Sequence, residues 1–178
     1  MDIYQIIVSN NPPWSRREVI AFLLIFLIAA IVLGFLYKKK KLLLSQVFAG
    51  LAMLGFLGIV FASTVFTRIT GSRQYELELF WSWKEVIFHG NQDLLQENLL
   101  NIVLLFPAGL LLPLFFHRRL PWWAGLLFGV ILSAGIEVCQ LVFCRGLFEW
   151  DDIVHNGIGC MLGCVISGMI VTKIFKYS

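Results

Sequence analysis

Charge is scarce in this chain. Asp, Glu, Lys and Arg together supply 14% of 178 residues, against 59% apolar. So little charge cannot coat a soluble domain of this size, and the long uncharged runs point to membrane spans. Cysteine is also scarce. The four thiols, Cys139, Cys144, Cys160 and Cys164, form no Cys-x-x-Cys pair and no metal-ligand spacing, so they read as small apolar packing residues. Basic excess is slight, at a net +3, and the bases sit at the ends of apolar runs instead of on one face, which excludes a nucleic-acid partner. There is no nucleophile motif, no dinucleotide-binding loop and no metal-ligand set, so neither metal nor cofactor is expected. Met1-Asp2-Ile3 lacks the basic start of a secretory signal, and no small-residue cleavage pattern follows the first apolar run. That run is expected to remain as a span.

Five apolar runs remain: Val19–Tyr37, Leu42–Phe66, Asn98–Phe116, Trp122–Phe143 and Ile153–Phe175. Each approaches the ~20 residues a helix needs to cross hydrocarbon, and helices alone satisfy their own backbone there. The expected fold is all-α: a polytopic bundle of five transmembrane helices in a single domain over 1–178. The third run carries Pro107 and Pro113 and is expected to kink.

Basic clusters set an expected orientation. Lys38–Lys41, Arg118-Arg119 and Lys173/Lys176 alternate along the chain in the way cytoplasmic ends do. The N-terminus then lies outside and the C-terminus in the cytoplasm; Arg16 and Arg17 oppose this but are outnumbered. The polar ends of spans two to five then share the outer side: Arg68, then Glu97, Asn98 and Asn101, then Glu137, Gln140 and Arg145, then Asp151, Asp152 and Asn156. Between spans two and three, Tyr75-Glu76-Leu77-Glu78-Leu79 alternates as a strand does, and Trp81 and Trp83 continue the alternation. This segment is expected to be an interfacial hairpin or short amphipathic element over the polar mouth, with both indoles at headgroup level.

Small residues four apart, Gly125-Gly129-Ser133 and Gly159-Gly163-Ser167, mark faces where helices pack closely; Gly55, Gly58 and Ala62 line the second span. Asp152 and Asn156 share the face of Gly159 and Gly163, so that polar stripe is expected to point into the bundle. A charge in hydrocarbon costs roughly 2.5–3.5 kcal/mol on insertion scales, so Glu137 needs a reason to be there. One is a strut, paired with Arg68 or Arg145. Another is a site, in which Arg68 and Arg145 hold phosphate and Asn98, Asn101, Glu137, Gln140, Asp151, Asp152 and Asn156 line the rest. A third makes Glu137 or Asp152 a catalytic acid/base. Asp151 or Asp152 also reads as the cap of its own helix, and Asn98 and Asn101 as bonds between helices. His155 stands alone, without a second histidine for a metal.

Three blocks carry a resemblance. Glu97-Asn98-Leu99-Leu100-Asn101 runs into Phe106-Pro107-Ala108-Gly109; Glu137-x-x-Gln140 follows; then come Arg145-x-x-Phe148-Glu149-x-Asp151-Asp152, Asn156, Gly159 and Gly163. In this order the chain resembles the VanZ-like family of bacterial membrane proteins, with the motif-bearing part at about 60–175. Glu149 stands where that family usually has aspartate, and the asparagine and proline often found before the third span are absent from Leu77–Trp83. The resemblance implies a multi-pass protein of the bacterial cytoplasmic membrane whose namesake lowers susceptibility to teicoplanin-type glycopeptides. Its implied partners are membrane lipids, with a peptidoglycan precursor or the antibiotic itself as further candidates. Whether it binds and remodels a headgroup, catalyses on a lipid or tunes a partner structurally stays open here.

Overall fold

The computed structural model describes residues 15–175, with side chains as far as Val171. Met1-Asp2-Ile3, Lys176 and the Lys173 side chain, on which two expectations rested, lie outside the described part. Helix α1 spans Arg16–Lys38 and α2 spans Leu44–Phe61, continuing as a π-helical turn over Ala62–Phe66. A short strand β1, Gln74–Glu76, leads to α3, Trp81–His89. Then come α4 (Gln92–Leu104), α5 (Phe106–Phe116), α6 (Trp122–Phe143), strand β2 (Leu147–Glu149) and α7 (Trp150–Phe175). Five segments are long and apolar enough to cross a membrane, 16–38, 44–66, 92–116, 122–143 and 150–171, with α4 and α5 forming one of them. The protein is a multi-pass all-helical bundle.

Local chemistry explains the boundaries. Ser15 and Glu18 form a reciprocal capping box that starts α1. The third span breaks at Leu105, where φ is −99° and ψ 4°, just before Phe106-Pro107. The break expected from proline is therefore present; Pro107 has no N–H for the carbonyl four residues back, and its ring crowds that carbonyl. Gln46 ties the basic ends of α2 and α5 together by donating from Nε2 to the Phe115 carbonyl at 2.9 Å.

Helix α7 is the centre of the bundle and packs against α4, α5 and α6. Glycine permits this. A Cβ on Gly159 would overlap the Ile102 carbonyl, and one on Gly109 would overlap the Cys160 carbonyl. Gly125 and Gly129 of α6 receive Cys164 and Cys160 of α7. The small-residue faces are thus helix contacts, and these two cysteines are fully buried packing groups. Helix α1 is peripheral: it packs along α2 and has no buried residue, which suits a helix whose remaining face meets lipid.

Of the two forms expected between spans two and three, a hairpin or a short amphipathic element, the structure shows a short helix, α3, and no hairpin. Gln74–Glu76 is a strand, but it pairs in parallel with Leu147–Glu149, Tyr75 opposite Phe148, so it makes no hairpin. Trp81 and Trp83 do not extend it; they open a helix. The chain turns at Phe80, with φ 61°, and the free N–H groups beyond it are met by Asp151 of α7. Alternation ends where a distant carboxylate offers a helix cap.

Candidate functional site

All the expected polar residues lie at one end of the bundle, the end carrying β1, β2 and α3. Helix α6 brings in Ser133, Glu137 and Gln140 on one face, one turn apart, all buried. Glu137 is 2% exposed, and its Oε2 accepts the backbone N–H of Glu149 at 3.0 Å. Gln140 donates from Nε2 to the Thr64 carbonyl at 3.1 Å. The π-helical turn makes that carbonyl available, since wider winding shifts the backbone bonds at the end of α2. Arg145 donates to the neighbouring carbonyls of Val65, at 3.3 Å, and Phe66, at 2.6 Å. A cation at a helix C-terminus complements its dipole, so Arg145 stabilises the end of α2.

Helices α4 and α7 complete the cluster. Asn101 donates from Nδ2 to Asp152 Oδ1 at 2.5 Å, a bond between helices as expected. Asn156 donates to Ser133 Oγ at 3.0 Å, and Ser133 donates to the Asp152 carbonyl at 3.3 Å. Asn98 is buried, and its Nδ2 has no partner among the described residues. The same holds for Gln140 Oε1 and Asn156 Oδ1. His155 Nδ1 is a fourth; buried polar atoms are normally satisfied, so four such atoms at one end of the bundle distinguish it from a packed interface.

The arginines are not ion-paired with Glu137. Among the described residues the ion pairs within 4.0 Å are Lys84–Glu78 and His89–Glu85, both on the α3 segment. Arg68 is exposed, and its charge acts on both Glu137 and Asp152 from beyond that range. Its Nη1 borders Gly146, where an added Cβ would meet it at 2.8 Å and Gln140 Oε1 at 3.3 Å. Arg68 thus stands at the rim, beside the bare oxygen of Gln140. The expected Glu137–arginine strut is replaced by a backbone donor from the α6–α7 connection.

Helix α3 lies over the cluster and is fastened from below. Asp151, 1% exposed, accepts the N–H of Phe80 at 2.5 Å, the N–H of Ser82 at 3.1 Å and the Ser82 hydroxyl at 2.6 Å. It caps α3, which corrects the expectation that it caps its own helix. The indole of Trp81 donates to Glu149 Oε1 at 2.8 Å, and that of Trp83 to His155 Nε2 at 2.7 Å. An indole only donates, so His155 Nε2 carries no proton and the neutral ring bears it on Nδ1. Burial pushes the Glu149 carboxyl up to about 7, opposed by the Trp81 indole and reinforced by the charges of Glu97, Asp151 and Glu76. Trp81 and Trp83 were expected over the polar mouth, but their partners Glu149 and His155, and the role of Ser82, were not recognisable, because nothing local in the sequence relates them to residues about 70 positions later.

The arrangement has chemical consequences. Two carboxyls, buried Glu137 and half-buried Asp152, interact electrostatically at the end of the bundle that holds the bare amide oxygens, and the exposed Arg68 stands beside Gly146. Among the described residues no group of three or more His, Cys, Asp or Glu side chains has metal-binding geometry. No curated protein and no solved structure matches the chain. The family model for VanZ/LLP1 matches residues 46–171, from the start of α2 to α7, and so spans the whole polar cluster. The fold, the polar end and this match agree: the chain belongs to the VanZ/LLP1 family.

Proposed function

We propose that this protein sits in the bacterial cytoplasmic membrane with its polar end outward and there binds or remodels the headgroup of a lipid or peptidoglycan precursor, lowering susceptibility to teicoplanin-type glycopeptides. The observation that carries this reading is Glu137: a buried carboxylate with no ion-pair partner among the described residues, beside amide oxygens that also lack partners. Ionising a buried carboxyl without a counter-charge is costly, and a ligand from the outer leaflet supplies what the chain omits. Arg68 at the rim suits a phosphate. An apolar cavity of about 420 Å³ between α1 and α2 ends at Phe66, whose carbonyl holds Arg145; it suits an acyl chain running down from such a headgroup. The lysine run at 38–41 and Arg118-Arg119, at the opposite end, support the outward direction.

The test is native mass spectrometry of the purified protein. Co-purifying lipid in the wild type, reduced in Glu137→Gln and Arg68→Ala, is expected, together with loss of glycopeptide tolerance in cells. Unchanged tolerance in folded variants of both kinds would leave only a structural role.

A second reading is favoured by the electrostatic interaction of two carboxyls, the buried Glu137 and the half-buried Asp152: an enzyme acting on a membrane lipid, with one of them as acid/base. Such pairs divide proton donation and acceptance between them. Glu137→Asp separates the readings, since a general base must reach its proton and a binder tolerates the shorter arm better.

A further inference from the structure

The end of the bundle opposite the polar cluster holds a feature that the headgroup reading leaves unused. Helices α5 and α6 both pack on α7 but touch each other little. Between them, where Arg118-Arg119-Leu120-Pro121 turns one into the other, lies a cavity of about 490 Å³. Its wall on α6 runs from Trp123 to Ile131, about 12 Å of helical rise. A second cavity, of about 270 Å³, adjoins it: Leu112, Phe116 and Phe128 line both, and the second reaches Met53 of α2. Apolar residues line the two cavities, except where Arg118 and Arg119 border the larger one. Both arginines are exposed. Neither guanidinium makes a hydrogen bond or ion pair among the described residues, and no acidic residue lines either cavity.

Arginine keeps its proton in proteins, so two uncompensated positive charges border an apolar groove. The general excess of bases at cytoplasmic ends accounts for the arginines but not for a cavity beside them. Trp123 lines that cavity and the adjacent Trp122 is exposed, which puts its opening at headgroup level. We infer that the groove holds an anionic diacyl phospholipid, with its phosphodiester at Arg118 and Arg119 and its acyl chains in the two adjoining cavities, bridging α5 and α6 where they touch little. Basic pockets between membrane helices take headgroups of this kind. A zwitterionic headgroup would bring an ammonium beside two guanidiniums, with no acid in the lining to receive it. A free phosphate would leave the apolar walls unfilled. Arg68 and Glu137 lie at the other end of the bundle, so this site stands or falls apart from theirs.

The test uses the full-length wild-type protein, delipidated in detergent and titrated with dioleoyl phosphatidylglycerol or dioleoyl phosphatidylcholine under native mass spectrometry. The chains are identical and the net charge differs. Phosphatidylglycerol is expected to bind more tightly by about tenfold or more, as two cations close to an anionic headgroup imply, and to raise the melting temperature. Arg118→Gln/Arg119→Gln is expected to abolish the preference, and Arg118→Lys/Arg119→Lys to keep most of it. Leu127→Trp fills the groove from an exposed position and leaves both arginines in place; it is expected to weaken phosphatidylglycerol as well. Arg68→Ala is expected to keep the preference. Equal binding of the two lipids by the wild type, or a preference that survives in the glutamine pair and vanishes in Arg68→Ala, would overturn the inference. Unchanged binding in Leu127→Trp would do the same, as would displacement by millimolar inorganic phosphate, which marks an anion site without acyl chains.

Discussion

The Asp151 carboxylate caps the helix Trp81–His89 through the N–H and hydroxyl of Ser82, 69 residues before it. This bond joins the end of the last span to the segment between the second and third. The segment is therefore part of the polar end and not a passive loop, and what happens at Asp151 decides whether α3 stays on the cluster.

Asp151→Ala is expected to release α3 while leaving the five spans in place. Loss of a cap costs about 0.5–2 kcal/mol, and the Ser82 donors are stranded as well. Hydrogen–deuterium exchange reads it: amides at 80–89 should exchange faster, with those of α6 and α7 unchanged. Unaltered protection at 80–89 would show that the cap does not hold the helix.

Glu149 predicts a pH dependence. Its carboxyl is near 7 in the folded chain, raised first by burial, against an ordinary 4.5. Between these values the folded chain keeps a proton that the unfolded chain has released. The stability from this group is therefore complete below about 4.5 and is lost as pH rises through 7. Melting temperature in detergent, taken from pH 4.5 to 7.5, should fall more steeply in the wild type than in Glu149→Gln. Parallel curves would remove Glu149 as the cause.

The two arginines are expected to separate. Arg68 is exposed and makes no hydrogen bond or ion pair among the described residues, so Arg68→Ala should change stability by less than about 0.5 kcal/mol, as surface substitutions do, while reducing retained phospholipid. Arg145 serves the carbonyls at the end of α2. Arg145→Ala should cost about 1.5–3 kcal/mol, the range for hydrogen bonds to a charged group. Thermal unfolding and lipid retention, measured on both variants, check the division; equal stability losses would contradict it.

Close helix contact makes a graded prediction at glycine. Gly159→Ala and Gly109→Ala each place a methyl against backbone of a neighbouring helix, whereas Gly34 has nothing within 4 Å. Overpacking costs about 1–3 kcal/mol, so the first two should lower the melting temperature and Gly34→Ala should not. Similar behaviour of all three would mean that α7 is not held so tightly.

Orientation is decided by cysteine labelling. In a background with Cys139, Cys144, Cys160 and Cys164 replaced, Lys39→Cys should resist an impermeant thiol reagent on intact cells and Ser72→Cys should react. The reverse pattern would put the polar cluster on the cytoplasmic side.

The sequence alone determined the spans, the break before Pro107 and the collection of Arg68, Asn101, Glu137, Gln140, Asp152 and Asn156 at one end. Each follows from local composition: hydropathy over about 20 residues marks a span, proline disturbs its own neighbourhood, and residues at span ends share a depth by counting helical rise. Partners were another matter. Glu137 looked like one half of an arginine pair, yet it takes the Glu149 backbone. Arg145 looked like a ligand cation, yet it closes the end of α2. Trp81 and Trp83 looked like a continuing strand, yet they start a helix and bond to Glu149 and His155. In each case the deciding contact joins segments of the chain through packing, and α3 exists as placed because Asp151, far along the chain, satisfies its first N–H groups. Periodicity reports the face a residue occupies; which donor meets which acceptor is settled only when the helices pack and every buried polar atom must find a partner.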